Sequence, residues 1–376
     1  MINSDKQIYM DYAATHPLSL NTKNYITSLL DVYGNPSSQY ELSDKSRKII
    51  SNSRQAVSQF INAKVDDIYF TSSGSASNTL GIRGYLGTYP DTNVYYSPIA
   101  HKSILKCLPN KSYPLIVSKT GMIFESDLDY VLRNDKSEHK LVVIDYANSE
   151  IGTIQNVKDL IEISHRNNAV IMIDATGSIP MIPLNISELG ADIVTFSGHK
   201  LGSLKGIGVL YKRPEIELQP LVYGSQEQGL FGGTENIIGI ASLYSAITEY
   251  DYLKETSLYP AVRQMWDYLS QNVTDCYLVG EPLESKNRLC NNLYVCFRNV
   301  DAEILVTLLS NEGIYVSTGS ACNSGSKEPS PTLTSIKLEE TDLHSCIRIT
   351  ANQSISIDDM LYACEFISGF VEILRS

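Results

Sequence analysis

Short apolar runs alternate with stretches of helical spacing through roughly the first 235 residues of the chain. The runs 67–71 (DIYFT), 93–97 (NVYYS), 140–145 (KLVVID), 169–173 (AVIMI), 192–196 (DIVTF) and 207–211 (IGVLY) read as strands. Several are apolar at successive positions, as strands covered on both faces are. Between them, 44–61, 77–86, 126–134 and 157–167 carry the spacing of amphipathic helices. This alternation predicts an α/β domain built on a mainly parallel sheet. The pattern then changes. Helical stretches near 236–255 and 258–273 precede strands near 276–279, 292–297 and 346–350, with helices near 302–311 and 357–374. A smaller C-terminal α+β domain is expected, joined through a long helix. The expected limits are 15–255 for the large domain and 256–376 for the small one, with 1–14 packing on the latter.

Composition narrows the function classes. A chain of 376 residues with 43% apolar and 19% charged positions suits a folded two-domain protein. Its net charge of −12 argues against a nucleic-acid surface, which needs a basic face. The opening MINSDKQIYMDYAAT has neither the basic start nor the apolar core of a signal peptide, so a cytosolic protein is the default expectation. The seven cysteines (107, 276, 290, 296, 322, 346 and 364) are odd in number, scattered and free of CxxC spacing. They indicate neither a disulfide framework nor a zinc site, and no metal is expected. Each is first read as a small buried apolar residue.

In a doubly wound sheet, ligands gather beyond the carboxyl ends of the strands. After the first strand, Ser72-Ser73-Gly74-Ser75 opens a helix, and backbone donors at such a start form a phosphate cup. Serine-rich turns also cap many helices that hold nothing. The strand at 169–173 runs into Asp174, either a turn residue or the anion that keeps a heterocyclic nitrogen protonated. The next strand leads to Ser197-Gly198-His199-Lys200, where a lysine among small donors suits a Schiff-base amine, although exposed loop lysines are commoner. His101 and Asn148 each follow a strand as well. A phosphate cup, an aspartate for a ring nitrogen, a lysine for an aldehyde and a flat group above the ring are together what pyridoxal phosphate requires.

The segments YMDYAAT (9–15), YGNPSSQY (33–40), FTSSGSASN (70–78), ANSEIGTIQ (147–155), IDATGSIP (173–180), FSGHKLGSLKGIGVLY (196–211), GGTEN (232–236), STGSACNSGSKEPS (317–330) and SCIRIT (345–350) span nearly the whole chain. By them the chain resembles the class V aminotransferase group, and within it the NifS/IscS-type cysteine desulfurases. The resemblance implies a fold-type-I pyridoxal-phosphate (PLP) enzyme in which Lys200 holds the cofactor covalently and Asp174 pairs with the ring N–H. His101 stacks on the ring and helps move protons, Asn148 faces its phenolic oxygen and the substrate, and Ser73, Gly74, Ser75, Ser197 and His199 hold the phosphate. It further implies that Thr234 reaches the phosphate in the partner subunit of a homodimer. Arg348 binds the carboxylate of L-cysteine as a planar fork, which lysine does poorly. By the same resemblance, Cys322, in its glycine- and serine-rich loop, is expected to take the sulfur as a persulfide and pass it to an acceptor such as an iron–sulfur scaffold or a sulfur carrier, leaving alanine.

Several positions depart from the family pattern. Gly177 stands where the family has a glutamine donor, Ala76 and Ala100 replace acidic residues, and Gln228 and Phe231 stand where arginines are frequent. Thr350-Ala351-Asn352-Gln353 replaces SLGR. Two other readings stay open beside the desulfurase: a PLP enzyme acting on selenocysteine or cysteine sulfinate, and a slow paralogue that carries sulfur only with a partner.

Overall fold

The computed structural model describes residues 6–318 and 329–376. Its strands in chain order are β1 (Ile8–Tyr9), β2 (Ile68–Thr71), β3 (Asn93–Tyr96), β4 (Ser112–Pro114), β5 (Lys140–Asp145), β6 (Val170–Asp174), β7 (Ile193–Ser197), β8 (Gly208–Lys212), β9 (Cys276–Leu278), β10 (Asn292–Phe297), β11 (Ile314–Tyr315) and β12 (Cys346–Thr350). Seven form one sheet in the order β2-β8-β7-β6-β5-β3-β4. From β7 to β4 all neighbours are parallel, and β8 alone runs against both of its neighbours. The predicted mainly parallel α/β sheet is therefore present, with each of its six expected strands within one residue of place. Every position of β5 and β7 is buried, as in strands covered on both faces.

Helices cover both faces. Leu42–Phe60, Val157–Arg166 and Ile237–Thr248 pack on one side, through Val57, Leu160, Ile240 and Leu243 against Ile144, Ile173 and Phe196. Gly74–Thr88 covers the other, setting Leu80 and Ile82 on Val143, Met172 and Ile193. A second core gathers Val262, Met265, Phe297, Leu305, Ile347 and Val371, and Ile8 and Met10 belong to it. It surrounds the antiparallel sheet β12-β10-β9.

The long helix expected over 236–255 is instead two, Ile237–Thr248 and Tyr252–Thr256. Asp251 explains the break: its backbone is extended and its carboxylate accepts from Leu253 N and Lys254 N, so it starts a helix rather than continuing one. Among the described residues no helix is long and apolar enough to cross a membrane.

The loop before the GGTEN segment is tied down by an ion pair whose carboxylate is buried. Arg54 makes two bonds of 2.7 Å to the Glu227 carboxylate, which also accepts from Phe70 N at 2.8 Å. Glu227, Gln228 and Gly229 all have positive φ (48°, 56° and 85°), a run that needs this anchor. Glu227→Ala leaves a half-buried guanidinium and a buried β2 amide without their acceptor, and is expected to lower unfolding free energy by about 2 kcal/mol in a denaturant titration.

Candidate active site

The carboxyl ends of β5, β6 and β7 deliver Asp145, Asp174 and Ser197 to one end of the sheet. With the start of helix Gly74–Thr88 and the loop after β3 they line a cavity of about 420 Å³, within the usual range for small-molecule sites. Ser73, Gly74, Ser75, His101, Asn148, His199, Lys200 and Arg348 line it too. One cavity thus gathers every sequence-predicted site residue among those described except Thr234.

At one end Ser73 caps the helix, its hydroxyl accepting from Ala76 N at 3.1 Å. The first-turn amides of Gly74 and Ser75 precede any intrahelical acceptor. A side chain at 74 would bring its Cβ to 2.9 Å from Ser197 Cβ, so glycine here lets the helix start approach the β7 end. His199 bonds Thr15 Oγ1 through Nδ1 at 3.1 Å. Burial, then the neighbouring Lys200 and Lys205, pull its pKa down to about 4, so it is a neutral imidazole at pH 7. Lys200 follows on the turn Gly198–Leu201 and donates to the Ala13 carbonyl.

One turn further along the same helix, Asn78 Nδ2 donates to Asp174, 4% exposed, at 2.7 Å, and Asp174 also accepts from Thr176 N at 2.8 Å. Asn78 also donates to Ser103 Oγ at 2.9 Å and accepts from Thr195 Oγ1. Ser103 in turn contacts His101 Nδ1 through its hydroxyl at 2.7 Å and its amide at 3.1 Å. Because that amide can only donate, Nδ1 is an acceptor in the neutral ring and the proton sits on Nε2. A continuous polar chain thus joins Asp174 to His101.

The third wall carries Arg348, 3% exposed on β12, whose Nη2 pairs with Asp11 at 2.7 Å and whose Nη1 donates to the Ser149 carbonyl at 3.2 Å. Glu150 lies buried beside it and accepts from Tyr294 and Ser330 at 2.9 and 2.7 Å, its pKa raised by burial.

The family model for class V aminotransferases matches residues 8–354. The chain belongs to the class V aminotransferase family. A cysteine desulfurase of Dictyoglomus turgidum is 33% identical, over 99% of this chain and 96% of that protein. A solved NifS-like protein superposes with a TM-score of 0.89 at 25% identity, covering 98% of this chain and all of the other. A third relative, the protein SspA solved in complex with cysteine, gives a TM-score of 0.78 at 25% identity over 93% of this chain and 99% of its own.

Against the family pattern, three placements matter. Gly177 lines the cavity, and a Cβ built on it would lie 2.4 Å from the Ala147 carbonyl oxygen. The backbone has closed over the position, so the family glutamine could return only with a main-chain shift. Asn148 is turned into its own loop: its Oδ1 accepts from Glu150 N and Ile151 N, both at 2.9 Å, and its Nδ2 donates to Ile99 O at 2.7 Å. Thr234 is exposed and does not line its own chain's cavity. Cys322 lies outside the described residues. Sequence reading does not single out Asn78, Ser103, Asp11, Glu150 or Asp145. Only Asp145 offered a signal, since it closes an apolar run as Asp174 does.

Proposed function

We propose that this chain is a PLP-dependent cysteine desulfurase, which moves the sulfur of L-cysteine to Cys322 and releases L-alanine. The observation that carries the reading is that Lys200, Asp174 and the start of helix Gly74–Thr88 open on one cavity. The residues fit the cofactor: backbone donors for a phosphate, a buried carboxylate for a ring nitrogen and an amine for an aldehyde line the same cavity. Gly74 supports it, because the helix start can come this close to the end of β7 only where a Cβ is missing. Bound there, PLP supplies an electron sink that acidifies the Cα proton of a bound amino acid and weakens its C–S bond.

This chain's own residues do the rest. Arg348 holds the substrate carboxylate, exchanging part of its pairing with Asp11 for it. His101, with its proton on Nε2 and its other nitrogen fixed by Ser103, covers the ring and relays protons. The Cys322 thiolate attacks the substrate sulfur. One S–S bond forms as the C–S bond breaks, the carbon fragment takes a proton, and cysteine plus thiol becomes alanine plus persulfide with no external oxidant. The persulfide goes to an acceptor protein, an iron–sulfur scaffold or sulfur carrier.

Exposed Thr234 supports a homodimer in which it completes the partner's phosphate cup, and Tyr223, 83% exposed in the same loop, supports an interface there. The two cores support a division into 15–255 and 256–376, and Ile8 and Met10 support packing of the N-terminal segment on the smaller unit. The six described cysteines are all free, in keeping with a reducing, cytoplasmic setting. Borohydride reduction of the purified protein, followed by peptide mass mapping, is expected to fix one pyridoxyl phosphate on Lys200. A label on another lysine, or none, contradicts the assignment.

A further inference from the structure

Asp145 has no part in the chemistry above, yet it sits in the same cavity. It closes β5 in register with Asp174, which closes β6 (Asp145↔Asp174), so the two carboxyl groups leave adjacent parallel strands on the same face. It is 5% exposed, and both of its oxygens are sealed from solvent without a hydrogen-bond partner of normal geometry. The Ser97 hydroxyl beside it is unpartnered in the same sense and offers only weak donation. A buried carboxylate in this state destabilises the fold that carries it. Burial pushes its pKa up to about 6. Asp174 pushes the same way, while Ser97, its own backbone amide and His101 pull back. Of the titratable groups on neighbouring elements, Asp174 on β6 and His101 after β3 are those that bear on it.

A group that weakens the empty protein at the ligand end of its strand is explained if positive charge arrives there. We propose that Asp145 is a second carboxylate beside the cofactor site, which with Asp174 favours positive charge on the cofactor ring. The proposal rests on the PLP reading and makes Asp145 a positioning residue that acts through its neighbours' charge states. The sign follows from linkage. Positive charge beside Asp145 favours its ionised form, so cofactor binding expels the proton that the empty site holds below pH 6. Above pH 6 the wild type therefore gains an attraction that Asp145→Asn lacks.

The test compares wild type, Asp145→Asn and Asp145→Glu, each stripped of cofactor and titrated with PLP at pH 5 and pH 8. For Asp145→Asn, binding about tenfold weaker than wild type at pH 8 and equal at pH 5 is expected. The pH midpoint of the bound cofactor's visible band should fall by about one unit, since one unit is a tenfold change in proton affinity. Asp145→Glu restores the charge and should keep the wild-type midpoint. The cofactor-free Asn variant should melt above wild type at pH 8 and by a smaller margin at pH 5, since the penalty on the buried carboxylate builds up between its ordinary pKa and about 6. A midpoint and a pH dependence of binding unchanged in Asp145→Asn overturn the proposal, as does a lower melting temperature of that variant at pH 8. Wild type that binds no PLP at either pH sinks the cofactor reading itself and the proposal with it.

Discussion

Asp174→Asn is expected to keep the fold and lower kcat for cysteine by about 10³-fold, the scale seen when one preorganised electrostatic partner is removed. The carboxylate already accepts two bonds, from Asn78 Nδ2 and Thr176 N, and Asp174 lines the cavity. An asparagine has one acceptor oxygen where the aspartate has two. Whichever way the amide turns, an NH₂ group meets either Asn78 or Thr176, and no negative charge remains to keep a ring nitrogen protonated. A factor of 10³ is about 4 kcal/mol in activation free energy. Asn78 links this carboxylate to His101 through Ser103, so the visible band of the bound cofactor should shift as well. Steady-state kinetics beside absorption spectra check both. A variant with wild-type kcat would remove Asp174 from the mechanism.

Arg348→Lys should raise KM for L-cysteine by about 10²-fold while leaving the cofactor spectrum in place. In the buried site the guanidinium spreads its donors between Asp11 and the Ser149 carbonyl, a planar arrangement that a carboxylate can enter edge-on. A lysine ammonium is a point charge on a flexible stem. It reaches Asp11 or the substrate, and loses one charge-assisted bond worth about 1.5–3 kcal/mol. The loss falls on binding more than on turnover, and a KM unchanged within threefold would contradict the role given to Arg348.

The main sheet was legible because its strands are buried on both faces. Runs such as AVIMI and DIVTF are too short and too apolar to be confused with surface helices, and each leads straight into a site residue. Asp174 and Lys200 could be read for that reason: in a parallel sheet, the strand end locates the site. The partners of those residues could not. Arg348 pairs with Asp11, 337 positions away, and Asn78 reaches Asp174 across 96. No local pattern encodes such contacts, which depend on how separate elements pack. β4 escaped notice because it is a three-residue edge strand ending in proline, and β1 and β11 because a two-residue strand has no period. Gly177 shows a third case. Sequence comparison marks it as a lost donor, whereas the structure shows a main chain that has closed on the space the donor would need.

The central claim is sulfur transfer to Cys322. It is tested most directly by incubating the cofactor-loaded protein and its Cys322→Ala variant with L-cysteine and a thiol reductant, and measuring alanine and sulfide together. The wild type should release the two in equal amounts. The variant should keep its visible band and lose at least about 10²-fold in rate, the contribution expected of a positioned nucleophile. Equal rates from the two proteins, or cofactor binding without alanine from the wild type, would contradict a persulfide mechanism at this residue.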